Sequence, residues 1–281
     1  MGAAPRITIV GASLAGLRTA EAVLALLPEA QVTLIGDEAR VPYNRPPLSK
    51  EVPQALARDP AEAEAQFARL VLRSKIPEGA VQMRLGQAGV AVEGRAVRLA
   101  DDTLVPGDWI VAASGLRPRR LALPGAEAHR HVLRSFDDAL SLARDLRPGA
   151  RMVVVGGGFI GCEIAATARK LGLHVTIVEP APHPMQRALG PRVAGAMAAL
   201  HRAHGVVVLT GRSVAGITPE HVILDDGQAL EAEVIVEAMG SHPNVEWLSG
   251  TGADLGDGVL VDDRMRAIGA ARILAVGDLA R

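Results

Sequence analysis

Hydrophobic residues form two matching blocks along the chain, each of which begins with a short apolar run and a glycine turn. In the first block, the run at residues 7–11 leads through the turn into a stretch rich in Ala and Leu, which predicts a strand followed by a helix. A second strand is predicted at 32–36. Residues 151–179 repeat this order of strand, turn, helix and strand. The pattern therefore predicts two βαβ units of the kind that bind dinucleotides.

The glycine turn of the first block reads G-x-S-x-x-G, so Ser13 stands where the pyrophosphate-binding pattern has its middle glycine. Gly11 permits the tight turn, Ser13 is small enough for the backbone to approach the phosphates, and Gly16 lets the helix pack closely on the strand. The free N–H groups at the start of the helix then face the phosphates. Asp37 directly follows the second strand, about where a carboxylate would meet a ribose hydroxyl.

The second block carries the complete set of spaced glycines, Gly156, Gly158 and Gly161. Glu179 ends its second strand, where a carboxylate accepts hydrogen bonds from a ribose 2′-hydroxyl and repels a 2′-phosphate. NADH is therefore favoured over NADPH, although Arg187 in the following loop is an alternative reader of that position. Two dinucleotide sites in one chain suggest a flavin and a nicotinamide.

The rest of the chain is predicted as further helices and short strands. Helices are expected at 55–74, 137–146 and 191–204, strands at 109–113, 206–209, 221–224, 234–238 and 273–276, and a β-meander over 81–113. Two prolines make residues 41–50 a rigid loop, in which Pro47 begins a short helix that carries Lys50. Small residues follow two strands, at 113–115 and near Gly240, where a backbone can lie against a ligand or pivot.

The composition indicates the α/β fold class and argues against several other classes of protein. The 281 residues are 49% hydrophobic and 2% aromatic, with a net charge of −1. Such a chain can bury the cores of about two domains, and neither disorder nor nucleic-acid binding is supported. No run reaches the roughly 18 apolar residues of a membrane span, and the amino end has a strand pattern rather than a signal peptide. We therefore expect a cytoplasmic protein with no membrane partner.

Cysteine and histidine usage predicts neither a disulfide nor a metal site. Cys162 is the single cysteine. Its place at the start of a helix suits a reactive thiol, but the favoured interpretation is a small buried packing residue. None of the eight histidines has the spacing of a metal ligand set. His201 and His204, three residues apart, are expected on a solvated helix face.

Five segments, in order along the chain, resemble the FAD-dependent NAD(P)H:ferredoxin reductases of the putidaredoxin reductase type, which serve cytochromes P450 and Rieske dioxygenases. The segments are VGASLAGLRTAE, PYNRPPLSK, ASGLRPRRL with HVLRSFDDA, VVVGGGFIGCEIAATARKLGLHVTIVE, and ILAVGDLA. The resemblance implies two Rossmann-like, three-layer dinucleotide-binding domains. The FAD domain would comprise residues 1–114 and 241–281, and the NAD domain, inserted between them, residues 115–240. Because the sequence ends three residues after Asp278, the third domain of this family is expected to be absent.

The resemblance also implies roles for individual residues. Asp278 would bond the ribityl chain, Lys50 would be a buried ammonium beside flavin N5, and Glu163 would be its partner. Lys50 and Glu163 are the implied catalytic residues. The implied cofactor-binding residues are Gly11, Ser13, Leu14, Ala15, Gly16, Asp37, Arg45, Pro46, Lys50, Ala113, Ser114, Gly115, Arg119, Arg134, Gly156, Gly158, Phe159, Ile160, Gly161, Glu163, Glu179, Gly240, Gly277 and Asp278.

The function that follows is a flavoprotein oxidoreductase, in which a hydride passes from NADH to FAD and single electrons then pass to a [2Fe–2S] ferredoxin that serves an oxygenase. One alternative is an NADH oxidase or diaphorase. Another is a non-catalytic NADH-sensing flavoprotein, similar to the apoptosis-inducing flavoproteins. Peroxidase-type relatives would need a redox cysteine near Tyr43, and the sequence has none there. The sequence leaves the oligomeric state open.

Overall fold

A computed structural model describes residues 3–281 and shows an α/β protein. The strands, in chain order, are β1 (Arg6–Val10), β2 (Gln31–Gly36), β3 (Val81–Leu85), β4 (Gly89–Glu93), β5 (Ala96–Leu99), β6 (Leu104–Pro106), β7 (Trp109–Ala112), β8 (Leu116–Pro118), β9 (Arg130–His131), β10 (Arg151–Val155), β11 (His174–Glu179), β12 (Val207–Thr210), β13 (Val214–Ile217), β14 (His221–Leu224), β15 (Ala229–Glu231), β16 (Val234–Glu237), β17 (Ser241–Pro243) and β18 (Ile273–Ala275).

The helices connect these strands. They are α1 (Leu14–Leu26), α2 (Glu51–Arg58), α3 (Ala63–Leu70), α4 (Phe136–Ala143), α5 (Phe159–Lys170) and α6 (Gln186–Ala203). Short 3₁₀ helices cover Pro46–Ser49, Pro60–Glu62, Glu127–His129 and Glu246–Leu248. None of the helices within residues 3–281 is both long and apolar enough to cross a bilayer.

The chain divides into two compact units. Among the described residues, the first comprises 3–44, 71–117 and 242–281, and the second comprises 45–70 and 118–241. The predicted domain scheme differs from this division mainly in residues 45–70, which pack with the second unit. The assignment of one cofactor to each domain stays a prediction.

The first unit is built on a parallel sheet with the strand order β18-β7-β1-β2-β3. Alternate residues of its strands face opposite sides. Ile7, Ile9 and Leu34 belong to a buried cluster with Ala20 of α1. Val10, Ile35 and Ile110 belong to another cluster with Val97 and Leu99 of β5, in the antiparallel sheet β4-β5-β6. The unit therefore has three layers, with the parallel sheet in the middle.

The second unit repeats this plan. Its parallel sheet has the order β12-β11-β10-β16-β9. Val153, Val155 and Ile235 pack in one buried cluster with Val222 and Leu224 of β14, from the antiparallel sheet β13-β14-β15. The α/β fold with parallel sheets that the sequence predicts is confirmed in both units.

Several local predictions are wrong in detail. The meander predicted over 81–113 is limited to β4, β5 and β6, because β3 and β7 join the parallel sheet. The helix predicted at 191–204 matches the part of α6 that follows a break at Gly190, whose φ is 73°, but the short helical segment before it, at residues 186–189, was not predicted. The helix predicted at 55–74 is two helices, α2 and α3. The apolar face of α3 is buried, and the ring of Phe67 in this face lies 5.2 Å from that of Phe136.

His201 differs from its predicted place. Its side chain is buried within the second unit, whereas that of His204 is exposed. Burial lowers the pKa of His201, and the neighbouring His204 adds to the effect. His201 is therefore a neutral core residue at pH 7 and not part of a solvated face.

Candidate functional site

The first glycine turn is held between the end of β7 and the start of α1. Gly11 has a φ of +125°, and a Cβ atom built on it would lie 2.0 Å from the carbonyl oxygen of Ala113. A Cβ atom on Gly16 would lie 2.0 Å from the carbonyl oxygen of Gly11. No side chain fits at such distances, so both glycines are required by the fold itself.

The second glycine turn is built in the same way. Gly156 has a φ of +100°, and a Cβ atom on it would lie 2.5 Å from the carbonyl oxygen of Ala238. A Cβ atom on Gly161 would lie 2.1 Å from the carbonyl oxygen of Gly156. Each unit therefore places the N-terminus of a helix close to the end of the central strand, which is where dinucleotide phosphates bind in this type of fold.

The middle glycine of the second turn has a different reason to be small. Gly158 is exposed, its φ of −72° suits any residue, and the nearest atom to a Cβ built on it would be 3.8 Å away. Neither the backbone nor neighbouring protein atoms therefore require glycine at this position. The open space in front of the helix N-terminus fits a pyrophosphate that approaches the backbone closely.

The side chains predicted to border these turns are exposed. Leu14 and Phe159 occupy matching positions in α1 and α5, and each is 53% exposed. Ile160 is also exposed, and Ala15 is partly buried. Apolar side chains therefore flank both glycine turns on the outside of the units.

Glu179 is tied to the glycine turn of the second unit. Its two carboxylate oxygens accept hydrogen bonds from the backbone N–H of Gly157, at 2.7 Å, and of Ala181, at 2.8 Å. A carboxylate has about four acceptor positions, so two remain for ribose hydroxyls. Besides the predicted contact with a ribose, Glu179 thus orders the turn.

Asp37 is not the structural counterpart of Glu179. Val155 pairs with Val178 and Val10 pairs with Ile35, so Gly36 occupies the position that corresponds to Glu179. Asp37 lies one residue later and is exposed.

The reason for this offset is space at the turn. A Cβ atom on Gly36 would lie 2.6 Å from the Cβ of Ala12. In the second unit the residue matching Ala12 is Gly157, and a Cβ on it would lie 3.2 Å from Oε2 of Glu179 and 2.9 Å from Pro184. Gly36 therefore cannot carry a side chain beside Ala12, whereas a side chain on Gly157 would be restricted by Pro184 as well as by the carboxylate of Glu179.

The other predicted residues of the first unit meet at the same sheet edge. A Cβ atom on Gly277 would lie 2.8 Å from the Cβ of Ala15, so the end of β18 reaches the start of α1. Ala113 already contacts Gly11, and Gly115 and Asp278 directly extend β7 and β18. Residues 11–16, 113–115 and 277–278 are therefore brought together.

A hydrogen-bond network that the sequence did not predict holds the end of β7. The Ser114 hydroxyl donates to the carbonyl oxygen of Asn244 at 2.7 Å and lies 3.1 Å from the indole N–H of Trp247. The Asn244 side chain donates back to the Ser114 carbonyl at 2.9 Å. No periodicity marks this contact, because its members lie about 130 residues apart.

Lys50 and Glu163 lie together in the second unit. Lys50 Nζ is 2.6 Å from Glu163 Oε2, and the Ser49 hydroxyl donates to the same oxygen at 2.5 Å. Lys50 Nζ also donates to the carbonyl oxygen of Pro46 at 3.0 Å. Thr167, one turn further along α5, donates to the Ser49 carbonyl at 2.8 Å and fixes the loop. We call Ser49, Lys50, Glu163 and Thr167 the lysine cluster.

The ion pair implied by the family resemblance is present, but its ammonium is not buried. The Lys50 side chain is 39% exposed and that of Glu163 is 35% exposed. The rigid 3₁₀ helix Pro46–Ser49, with prolines in its first turn, delivers the lysine from a distant part of the sequence.

Three predicted arginine positions also belong to the second unit. Arg45 donates to the carbonyl oxygen of Arg134 at 2.6 Å, and the Arg134 N–H donates to Asp138. The Arg119 backbone N–H donates to the Gly240 carbonyl oxygen at 2.9 Å, and its side chain donates to the Ser241 carbonyl oxygen. Their predicted contacts with a cofactor stay predictions.

Cys162 is a packing residue, as predicted. The thiol is buried, and its sulfur lies 3.5 Å from the carbonyl oxygen of Gly157. Burial, followed by the negative charges of Glu179 and Glu163, raises its pKa to about 11. The thiol therefore stays neutral near pH 7 and is a poor nucleophile.

Sequence reasoning missed the buried pair Arg130 and Glu237. Glu237 ends β16, its side chain is fully buried, and its Oε1 accepts two hydrogen bonds from Arg130. Arg130 also donates to the carbonyl oxygens of Leu121 and Leu123. The one visible signal was a glutamate within the apolar run at 234–238. The pair fastens residues 121–125 to the edge of the sheet.

Substitution of Gly158 and of Gly161 should distinguish a glycine that makes room for a ligand from one that the fold requires. Gly158→Ala should leave the free energy of unfolding within about 1 kcal/mol of the wild type, because its φ and its surroundings accept a methyl group. It should weaken NADH binding about tenfold or more, since the methyl group would enter the space in which the phosphates are predicted to lie. Gly161→Ala should destabilise the protein by about 1 to 3 kcal/mol or more through its clash with a carbonyl.

Urea denaturation and isothermal titration with NADH measure both effects. Equal loss of stability in the two variants would mean that Gly158 serves the fold rather than a ligand.

Comparison with known proteins agrees with this geometry. Residues 5–281 match the pyridine nucleotide-disulphide oxidoreductase family. The ferredoxin reductase component of chlorobenzene dioxygenase from Cupriavidus sp. (strain PS12) is 38% identical over 285 residues, covering 99% of this chain and 67% of that protein. Putidaredoxin reductase from Pseudomonas putida is 34% identical over 296 residues, covering 100% and 68%.

The fold of a solved relative is also similar. The crystal structure of the covalent putidaredoxin reductase–putidaredoxin complex superposes with a TM-score of 0.91 at 32% identity, covering 100% of this chain and 69% of that one. The chain thus spans about two thirds of the length of these relatives. The relatives imply a flavin and a nicotinamide as cofactors. The chain therefore belongs to the pyridine nucleotide-disulphide oxidoreductase family, as a homologue of the ferredoxin reductase components of oxygenase systems.

Proposed function

We propose that this protein is an NADH-dependent reductase that uses FAD to pass electrons to a [2Fe–2S] ferredoxin serving an oxygenase. The observation that carries the proposal is the presence of two glycine turns of the same construction, one in each unit, together with the lysine cluster. The names of the relatives, which are reductase components of dioxygenase systems and putidaredoxin reductase, support the choice of acceptor.

The first unit would hold FAD. The turn at residues 11–16 offers helix N–H groups to the pyrophosphate, and the adjoining ends of β7 and β18 supply residues 113–115 and Asp278. Asp37, which follows β2, would accept a hydrogen bond from the adenosine ribose. The Ser114, Asn244 and Trp247 network would keep the end of β7 in place for this contact.

The second unit would hold NADH. Its phosphates would lie at the turn from Gly156 to Gly161, where Gly158 leaves room for them. Glu179 keeps two acceptor positions for the ribose hydroxyls while its bonds to Gly157 and Ala181 fix its direction. A negative charge held at that place disfavours the extra phosphate of NADPH.

The lysine cluster would lie beside the reactive end of the flavin. FAD, when bound, accepts a hydride from NADH and releases electrons singly to a one-electron acceptor. Lys50 supplies a positive charge that favours an anionic reduced ring. Glu163 and Ser49 orient the ammonium, and Thr167 holds the Ser49 backbone. Cys162 takes no part, because its thiol is buried and neutral.

Anaerobic stopped-flow mixing tests the function. NADH should reduce the flavin of the FAD-loaded protein in a single turnover. Addition of an oxidised [2Fe–2S] ferredoxin should then reoxidise the flavin while the ferredoxin is reduced. Reoxidation by oxygen or a quinone, with none by ferredoxin, would replace the proposal with an NADH oxidase or diaphorase. NADH binding without flavin reduction would indicate a sensor.

Removal of the lysine charge should shift the flavin potential. Lys50→Met takes away a cation and leaves Glu163 unpaired, so both changes disfavour a negatively charged reduced ring. We expect the midpoint potential to fall by about 30 to 60 mV, or roughly 1.4 to 2.8 kcal/mol for a two-electron couple, and hydride transfer to slow.

Spectroelectrochemical titration measures the potential. Lys170→Met, at the exposed last residue of α5, is the matched control and should leave it unchanged. An unaltered potential in Lys50→Met would place the lysine away from the ring.

Glu179 should control the choice between NADH and NADPH. Glu179→Gln removes the negative charge, so the preference for NADH should fall by about 1 to 3 kcal/mol, roughly 5- to 150-fold in the ratio of kcat/KM values. The glutamine NH2 cannot accept one of the two backbone hydrogen bonds, and this loss should weaken both nucleotides alike.

The matched control is Glu233→Gln, because Glu233 also accepts a backbone N–H, from Arg151 at 2.9 Å, at the opposite edge of the sheet. Steady-state kinetics with both nucleotides give the ratio. A preference that survives Glu179→Gln would assign the discrimination to another residue, such as Arg187.

A further inference from the structure

A cavity of about 270 Å³ lies in the first unit, at the amino-terminal edge of its parallel sheet. Its wall includes Asp108 and Ile110 at the start of β7 and Arg272 and Ile273 at the start of β18. All strands of the sheet are parallel, so this edge is opposite to the glycine turn at residues 11–16. The cavity is therefore separate from the proposed FAD site.

The floor of the cavity is rigid. Asp108 and Arg6 are joined by backbone and side-chain hydrogen bonds. The Asp108 N–H donates to the Arg6 carbonyl oxygen at 2.7 Å, and the Arg6 guanidinium donates to the Asp108 carboxylate at 3.2 Å. These hydrogen bonds hold the pKa of Asp108 below its ordinary value, so its charge is retained and is neutralised by Arg6. Gly107 packs tightly as well, since a Cβ on it would lie 2.9 Å from Thr8.

Two arginines are anchored to this floor through their backbones. The Arg95 carbonyl accepts a hydrogen bond from the Gly107 N–H at 2.7 Å, and the Arg272 carbonyl accepts one from the Ile110 N–H at 3.0 Å. Arg95 lies in the two-residue turn between β4 and β5, after Gly94 with its φ of 60°. Arg272 has a φ of 63°, which costs about 1 to 2 kcal/mol for a residue with a side chain and is more typical of functional positions.

The side chains of these arginines have no partner among residues 3–281. Neither guanidinium donates a hydrogen bond to, or forms an ion pair with, any described group, although Arg95 acts at longer range on Asp108. Since Arg6 neutralises Asp108, the cavity keeps an excess of two positive charges. A guanidinium is a rigid fork that matches phosphate and carboxylate oxygens.

We propose that this cavity binds a small organic phosphate monoester. Its phosphate would lie between Arg95 and Arg272, and its carbon part against Val92, Ile110 and Ile273. A monoester carries close to two negative charges at pH 7, which matches the two free guanidiniums better than the single charge of a carboxylate. The volume is below the range of about 300 to 1,000 Å³ that holds drug-sized ligands, so the ligand is small.

Calorimetric titration of the FAD-loaded chain with phenyl phosphate tests the assignment. Saturating NAD⁺ prevents phenyl phosphate from binding at the nicotinamide site, and a constant ionic strength excludes effects of salt screening on the measured affinity. We expect one saturable site per chain, with benzoate, which has the same ring and one charge, binding at least about tenfold more weakly.

Three variants locate the site. Arg95→Gln and Arg272→Asn should each lower the affinity for phenyl phosphate about tenfold or more. Asn tolerates a positive φ, so Arg272→Asn should unfold at the same temperature as the wild type or higher, which separates lost binding from lost structure. Arg264→Asn, at an exposed turn arginine outside the cavity, is the matched control and should bind normally.

Three results would overturn the proposal. They are the absence of saturable binding at millimolar phenyl phosphate, unchanged affinity in both cavity variants, and equal affinity for benzoate.

Discussion

The close contact between a glycine and a strand-end carbonyl sets the geometry on which both units depend. In each unit, the first glycine of the turn lies against the carbonyl of the neighbouring strand, and the last glycine lies against the carbonyl of the first. These contacts bring the helix within van der Waals distance of the central strand. Its N–H groups therefore face the edge of the sheet where the other predicted site residues gather. Any side chain at either position would push the helix away.

The same constraint explains why the two units differ at the next position. Ala12 and Gly36 face one another in the first unit, and Gly157 and Glu179 do so in the second. In the first unit only one of the two positions can carry a side chain, and in the second unit Pro184 further restricts Gly157. When the strand end carries it, a carboxylate is held directly on the turn by two backbone N–H groups. When the turn carries it, the carboxylate moves one residue further to Asp37. The two cofactor sites are therefore related but not equivalent.

The other charged residues of interest fall into two groups, one buried and one at least partly exposed to solvent. The lysine cluster combines a charged pair with hydroxyl groups that fix it, and about a third of each charged side chain is exposed. The Arg130 and Glu237 pair is fully buried and serves packing, because its guanidinium also satisfies backbone carbonyls of residues 121–125. At the other sheet edge of the first unit, Arg6 neutralises Asp108, while the side chains of Arg95 and Arg272 have no ion-pair partner among the described residues. The buried pair is structural, whereas Lys50 and Glu163 are partly exposed and Arg95 and Arg272 are exposed, as the two proposed ligand sites require.

The sequence by itself determined the two βαβ units, because glycine spacing and apolar periodicity are local properties that only a few backbone conformations satisfy. It also placed Gly11, Gly161 and Glu179 at a strand end or in a turn, and the family resemblance named Lys50 and Glu163 as a pair. The tertiary structure decided which contacts are made across long separations. Ser114 with Asn244, Arg130 with Glu237, and Ser49 with Thr167 have no periodic signal, since each contact depends on how distant segments pack. It also decided that Lys50 is partly exposed, that His201 is buried and that Asp37 is offset, because burial and register follow from the neighbours that the folded chain brings to each residue.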